Sequence, residues 1–243
     1  MGDKLIVALD VNTLQKARTL VDKLYPAIKI FKVGSELFTA AGPQAVRMIN
    51  KKGAKVFLDL KFHDIPNTVA SAVKQAAGLD VFMVNIHASG GSDMIKAAKE
   101  ALKLLPKNKK PVLLAVTVLT SIDKATLKSL GINRPPIKQV CLLAKMAKAH
   151  GADGVVCSPQ EIKQVRRACG KRFVIVTPGV RPLGKALADQ KRVATPQKAI
   201  KQGADFIVVG RPITEAPNPK KAAKEIVSQI SSKALRLCYS VDK

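Results

Sequence analysis

The chain has 243 residues, of which 47% are hydrophobic but only 4% aromatic, with no Trp; that suffices for one large core packed by Val, Ile, Leu and Ala, and excludes a mini-domain. No apolar run reaches membrane-spanning length, and "LIVAL" is too short, and too soon followed by Asp10, to act as a secretory signal, so a cytoplasmic protein is expected. The net charge of +25 (42 Lys+Arg against 17 Asp+Glu) admits an anionic partner, but the basic residues run through the whole chain instead of gathering in one arm, which favours solvated helix faces over a nucleic-acid surface.

From the N-terminus, the run "KLIVAL" is predicted to be a strand ending at Asp10, and "IKIFKV" a second that reaches Lys32. The third, "AKVFLDL", leads to Asp59 and Lys61; residues two apart on a strand point to one side, so these two are expected to share a face. A helix from Ile65 follows, with Val69, Ala72, Val73 and Ala76 on one stripe. The fourth run, "DVFMVNI", leads to Asn85 and His87, and the helical segment after it sets Lys96, Lys99 and Lys103 as a solvated face opposite Ile95, Ala98 and Leu102. "PVLLAVTV" leads to Thr117 and Thr120, before a helix striped by Val140, Leu143, Ala144 and Ala147. "GVVCS" is the sixth run, "RFVIVTP" leads into Pro178-Gly179-Val180-Arg181, and "DFIVVG" into Gly210-Arg211. A last helix carries Ala222, Ala223, Ile226, Val227 and Ile230. Strand-then-helix repeated in this way predicts an α/β fold, a (β/α)8 TIM barrel forming a single domain over residues 1–243. An open doubly wound sheet is the alternative, but no G-x-G-x-x-G follows the first strand.

In such a barrel, chemistry gathers at the C-terminal ends of the strands. Asp10, Lys32, Asp59 and Lys61 all fall there. At 4 Å and an effective dielectric of 20, each neighbouring pair would interact by about 4 kcal/mol, enough to fix an ammonium in place and in charge. A structural ion pair is the competing reading for Asp59 and Lys61 taken alone. Asp64 precedes Ile65-Pro66, and Pro favours a first helical turn, so a helix cap and a functional carboxylate are equally consistent with its position. Arg181 and Arg211 offer forked donors beside glycines whose backbone N–H groups can approach a phosphate. Between Arg181 and Thr195 a polar stretch with Gly184 and Gln190 is long enough to close as a lid. Cys141, Cys157, Cys169 and Cys238 show no C-x-x-C pairing, and His63, His87 and His150 no metal spacing, so neither a zinc site nor a thioredoxin-type motif is expected. Cys157 is expected in the core, and His150 at the C-terminus of a helix.

Asp10, Lys32, "DLKFHDIPNT" (59–68), "VNIHASGG", "LLAVTVLTS", "TPGVRP", "DQKRVATP" and "GADFIVVGRPIT" occur in an order that closely resembles the orotidine 5′-monophosphate decarboxylase family, over nearly the whole chain. The shorter D-x-K-x-x-D is shared with 3-keto-gulonate-phosphate decarboxylases and hexulose-phosphate synthases, but the flank "FHDIPNT" favours the nucleotide enzyme. The resemblance implies a homodimeric lyase that makes uridine monophosphate without cofactor or metal. It makes Lys61 the proton donor to the ring carbon, sets Asp59 beside the departing carboxylate, and has Lys32 complete the charge array with a ribose contact. It brings Asp64 and Thr68 into the neighbouring subunit's site, where Thr68 shares the ribose hydroxyls with Asp10, and it counts Ile65 among the substrate-binding residues. Thr120 would contact the pyrimidine, Gln190 bridge base and phosphate from the lid, Arg181 support that lid, and Arg211 with Gly210 grip the phosphate.

Overall fold

A computed structural model of the chain describes residues 4–181 and 194–231. Eight parallel strands close on themselves in sequence order: β1 (Leu5–Ala8), β2 (Ile30–Gly34), β3 (Lys55–Phe62), β4 (Met83–His87), β5 (Val112–Val116), β6 (Gly154–Val156), β7 (Val174–Thr177) and β8 (Phe206–Val209). The predicted barrel is therefore present, with β8 pairing back onto β1.

Strand alternation sends one set of residues inward and the other under the helices. The inner set, Ile6, Ala8, Ile30, Phe57, Met83, Leu114, Val176 and Val208, forms its own buried cluster and fills the barrel with aliphatic side chains and one ring. At the N-terminal end Phe82 and Phe206 meet edge to face, 6.0 Å between centroids, with Lys55 Nζ 4.7 Å from the Phe82 centroid. Gly154 lets β6 approach β7 closely: a Cβ there would lie 2.3 Å from the Val174 carbonyl oxygen.

The outer layer comprises α1 (Leu14–Leu24), α2 (Ser35–Ala41), α3 (Pro43–Lys51), α4 (Pro66–Gly78), α5 (Gly91–Lys103), α6 (Lys124–Ser129), α7 (Pro136–Ala149), α8 (Ile162–Cys169), α9 (Pro196–Lys201), α10 (Arg211–Thr214) and α11 (Pro219–Ile230). Local signals start them. Thr13, Asp123, Thr195 and Asn218 each accept a hydrogen bond from a first-turn N–H, and Pro opens α3, α4, α7, α9 and α11, where its missing donor goes unneeded. Most of the predicted stripes is buried, Val69, Val73 and Ala76 in α4, Val140, Leu143, Ala144 and Ala147 in α7, and Ala223, Ile226 and Ile230 in α11, while Ala72, Ala222 and Val227 are half-buried. His150 ends α7, its Nδ1 2.9 Å from the Met146 carbonyl oxygen, and Cys157 is buried, both as expected.

One device recurs at the N-terminal rim. The tripeptide Gly-Ala-Asp precedes β6 (151–153) and β8 (203–205). Asp153 donates its N–H to the Leu113 carbonyl while its Oδ2 accepts from the Leu113 N–H at 2.9 Å; Asp205 holds Ile175 in the same two-way grip, 2.8 Å to its Oδ2. A cation braces each clip, Lys99 on Asp153 and Arg166 on Asp205. Lys99 thus departs from the solvated face expected of it, whereas Lys96 and Lys103 stay exposed.

Candidate active site

The opposite rim is shaped by an irregularity in β3. Its pairing with β4 is regular up to Leu58↔Val84, and the next partners are Phe62↔Ile86, so β3 carries extra residues at its C-terminal end. Lys61 absorbs the bulge with φ of +51°, a left-handed conformation rare outside glycine. Asp59 and Lys61 meet as expected, and the bulge beside them is a feature that strand periodicity did not foresee.

Four charges follow in alternation. Lys61 Nζ lies 2.8 Å from Asp59 Oδ1, Lys32 Nζ 3.3 Å from Asp59 Oδ2, and Lys32 Nζ 2.9 Å from Asp10 Oδ1. The inner members are shielded, with 12% of the Lys32 and Asp59 side chains accessible, while Lys61 at 34% and Asp10 at 53% open towards solvent. Burial pushes the Lys32 ammonium towards neutrality, but Asp59 and Asp10 outweigh it and hold the group above its usual lysine value, so it stays charged. Gly34 makes room for this ammonium: a Cβ there would sit 2.8 Å from Lys32 Nζ.

Asn85, fully buried on β4, faces the bulge. Its Nδ2 donates to Asp59 Oδ1 at 2.6 Å and its Oδ1 accepts from the Lys61 backbone N–H at 2.8 Å. From sequence it stands out only as a polar strand end; a buried amide inside the apolar run "FMVNI" is the signal that could have marked it as a holder. Beyond it the His63 and His87 rings stack at a tilt, 5.4 Å between centroids. Burial, then the neighbouring His63 and Lys61, lower the pKa of His87, which favours a neutral imidazole.

These groups border a cavity of about 310 Å³ over the apolar barrel filling, and Thr120, Arg181, Gly210 and Arg211 line it too. Eight sequence-predicted residues thus converge: Asp10, Lys32, Asp59, Lys61, Thr120, Arg181, Gly210 and Arg211. Ser121, which sequence reasoning missed, joins them beside Thr120. Asp64, Ile65 and Thr68 do not line this cavity; they stand exposed on the rim after β3, Ile65 at 66%. The cap reading of Asp64 is corrected: Ile65 is the residue that caps α4, without a side-chain bond, and Asp64 Oδ1 accepts from the Ile65 N–H at 2.6 Å. Gln190 and Gly184, with the stretch expected to close, lie outside the described residues. Its flanks are described: Val180 bridges to Ala194, with Arg181 N–H donating to the Ala194 carbonyl at 3.0 Å. Among the described residues no three His, Cys, Asp or Glu side chains gather as a metal site would require, and no helix is long and apolar enough to cross a membrane.

Comparison with known proteins agrees with this arrangement. A family model described as "Orotidine 5'-phosphate decarboxylase / HUMPS family" matches residues 3–226. An orotidine 5'-phosphate decarboxylase of Moorella thermoacetica is 52% identical, over 94% of this chain and 92% of the relative. The crystal structure of orotidine 5'-phosphate decarboxylase from Lactobacillus acidophilus superposes with a TM-score of 0.84 at 42% identity, covering 95% of this chain and all of that one. That from Pyrococcus horikoshii gives 0.75 at 26% identity, covering 93% and 98%. A match over nearly the full length, in sequence and in fold, has one meaning: the chain belongs to the orotidine 5'-phosphate decarboxylase / HUMPS family.

Proposed function

We propose that this chain is a lyase that decarboxylates orotidine 5′-monophosphate to uridine 5′-monophosphate in pyrimidine biosynthesis, without a cofactor, and that Lys61 is its proton donor. The carrying observation is the alternating row Asp10–Lys32–Asp59–Lys61, with its one accessible ammonium at the mouth of a cavity. Breaking the bond to the carboxylate releases carbon dioxide and leaves the electron pair on a ring carbon that has no good sink. An ammonium fixed nearby stabilises that charge and then passes it a proton, leaving a neutral amine to be recharged from solvent. Asp59, held by its bonds to Lys32, Lys61 and Asn85, would lie beside the departing carboxylate.

On the same lining, Arg211, Gly210 and Arg181 suit the phosphate, and Thr120 the pyrimidine; Asp10 and Lys32 suit the ribose, and Gln190 would reach in from the segment between the flanks. Phosphate binding far from the reacting carbon can drive desolvation of the site and so raise the rate. The exposed run Asp64–Thr68 suits a residence in a second copy's site, making the working unit a homodimer of one-domain subunits. Cytoplasmic residence belongs to the same proposal.

An absorbance assay with orotidine 5′-monophosphate tests it, run with a chelator and beside Lys61→Ala. Turnover should survive the chelator, and the variant should lose about a thousandfold or more in kcat, in keeping with a group that both donates a proton and stabilises charge. A variant within tenfold of the parent would remove Lys61 from the mechanism. Loss of activity with chelation would point to a magnesium-dependent sugar-phosphate lyase instead.

A further inference from the structure

Asn85 does not itself line the cavity, yet among the described residues its side chain alone bonds both the backbone of Lys61 and the carboxylate of Asp59, two residues that do. The bulge takes Lys61 out of the β3–β4 ladder, and Asn85 Oδ1 supplies the acceptor its N–H would otherwise find on a strand. That contact settles which way the amide points. Since Oδ1 must face an N–H donor, Nδ2 faces Asp59, and the flipped amide would set two oxygens 2.6 Å apart. Asp59 Oδ1 therefore takes two donors, Asn85 Nδ2 and Lys61 Nζ, while Oδ2 takes Lys32. With both oxygens engaged, the carboxylate cannot turn about its axis.

We infer that Asn85 is a positioning residue for the decarboxylation: one amide holds Lys61 in its left-handed bend and locks the rotation of Asp59, setting the direction in which the Lys61 ammonium points. This deepens the function proposed above and rests on it. Asn85 acts through its neighbours and without contact to substrate, so its effect should fall on kcat and not on nucleotide affinity. A misplacement of about 1 Å in such a group costs about a hundredfold in rate.

The experiment compares Asn85→Ala and Asn85→Asp with the parent for kcat, uridine 5′-monophosphate affinity, pH profile and crystal structure. Asn85→Ala should lose about a hundredfold in kcat, with affinity for uridine 5′-monophosphate within about threefold, because the phosphate and ribose contacts are untouched. Asn85→Asp keeps the shape and the acceptor for Lys61 but can donate to Asp59 only when the two carboxyls share a proton. Its kcat should therefore fall as pH rises through the upper ionisation of that pair, a limb absent from the parent. In the Asn85→Ala crystal structure Lys61 should leave positive φ, a readout independent of turnover. A parent that fails to turn over orotidine 5′-monophosphate would count against the proposed function, and the Lys61 conformation would still decide the clamp. Parental kcat and pH profile in both variants, Lys61 unmoved in Asn85→Ala, or kcat and nucleotide affinity falling together would overturn the inference. Failure of both variants to fold would do so as well, by assigning Asn85 to stability alone.

Discussion

Lys61 holds two demands at once: its ammonium belongs beside Asp59, and its backbone sits at φ +51°. For an L-residue with a Cβ the left-handed region costs about 1–2 kcal/mol. This reverses the usual ranking of side chains in a strand, where Ala is better than Gly. Lys61→Gly and Lys61→Ala both lose the ion pair, but only Gly relieves the bend, so the Gly variant should be the more stable by about 1 kcal/mol in denaturant unfolding. An Ala variant equal to or above the Gly variant would show that no strain resides there. The conformation was not legible in the sequence, because nothing about a lysine signals positive φ. The pairing of Asp59 with Lys61 was legible, and so was the convergence of Lys32 and Asp10, since each falls at the end of an apolar run. Asp64 was undecided by position alone; the observed cap at Ile65 removes one of its two explanations.

Between strands, Arg166 on α8 reaches four carbonyl groups, those of Gly170, Lys171, Phe173 and Gly203, as well as the Asp205 carboxylate. It ties the loop before β7 to the loop before β8, and Asp205 passes the tie on to the Ile175 N–H. Arg166→Met keeps the aliphatic stem but leaves these acceptors to water. Because Asp205 is part-exposed, the loss should be moderate, about 2 kcal/mol in denaturant unfolding. With the site at the opposite rim, kcat should stay within about twofold. A variant with parental stability would deny the tie its role; a large loss of kcat at full stability would show that the two rims are coupled. Apolar runs made the strands legible and three- or four-residue stripes the helices, because both periods are local. The clips were not, since Lys99 and Arg166 meet Asp153 and Asp205 across 54 and 39 residues, a distance no local pattern spans.

For the whole molecule, the decisive question is how many chains make a site. Asp64, Ile65 and Thr68 form an exposed ridge beside a cavity they do not enter. If they serve a second copy, Lys61→Ala and Asp64→Ala damage different halves of each composite site. Mixing the two inactive proteins would then regenerate one intact site per mixed dimer, and activity should recover in part. No recovery after proven subunit exchange would mean that each chain works alone. The strand count and closure followed from the order of apolar runs along the chain, whereas pairing with a second copy would follow no such period; Ile65 is one of several exposed apolar side chains, with Leu104 and Leu130 among the others. Within the row two lysines answer two aspartates, and Arg181 and Arg211 on the same cavity leave its lining positive, the sign of the net charge of +25.

The bridge from Val180 to Ala194 has a practical meaning for engineering. It holds Val180 and Ala194, the anchors on either side of residues 182–193, about one strand spacing apart, roughly 5 Å. Because loop-closure entropy grows only slowly with length, a change in the length of this stretch should cost the fold little, so long as a residue in the role proposed for Gln190 is kept. Segments of other lengths grafted between the same two anchors should leave β7 and α9 where they are, which a crystal structure of one such graft would check.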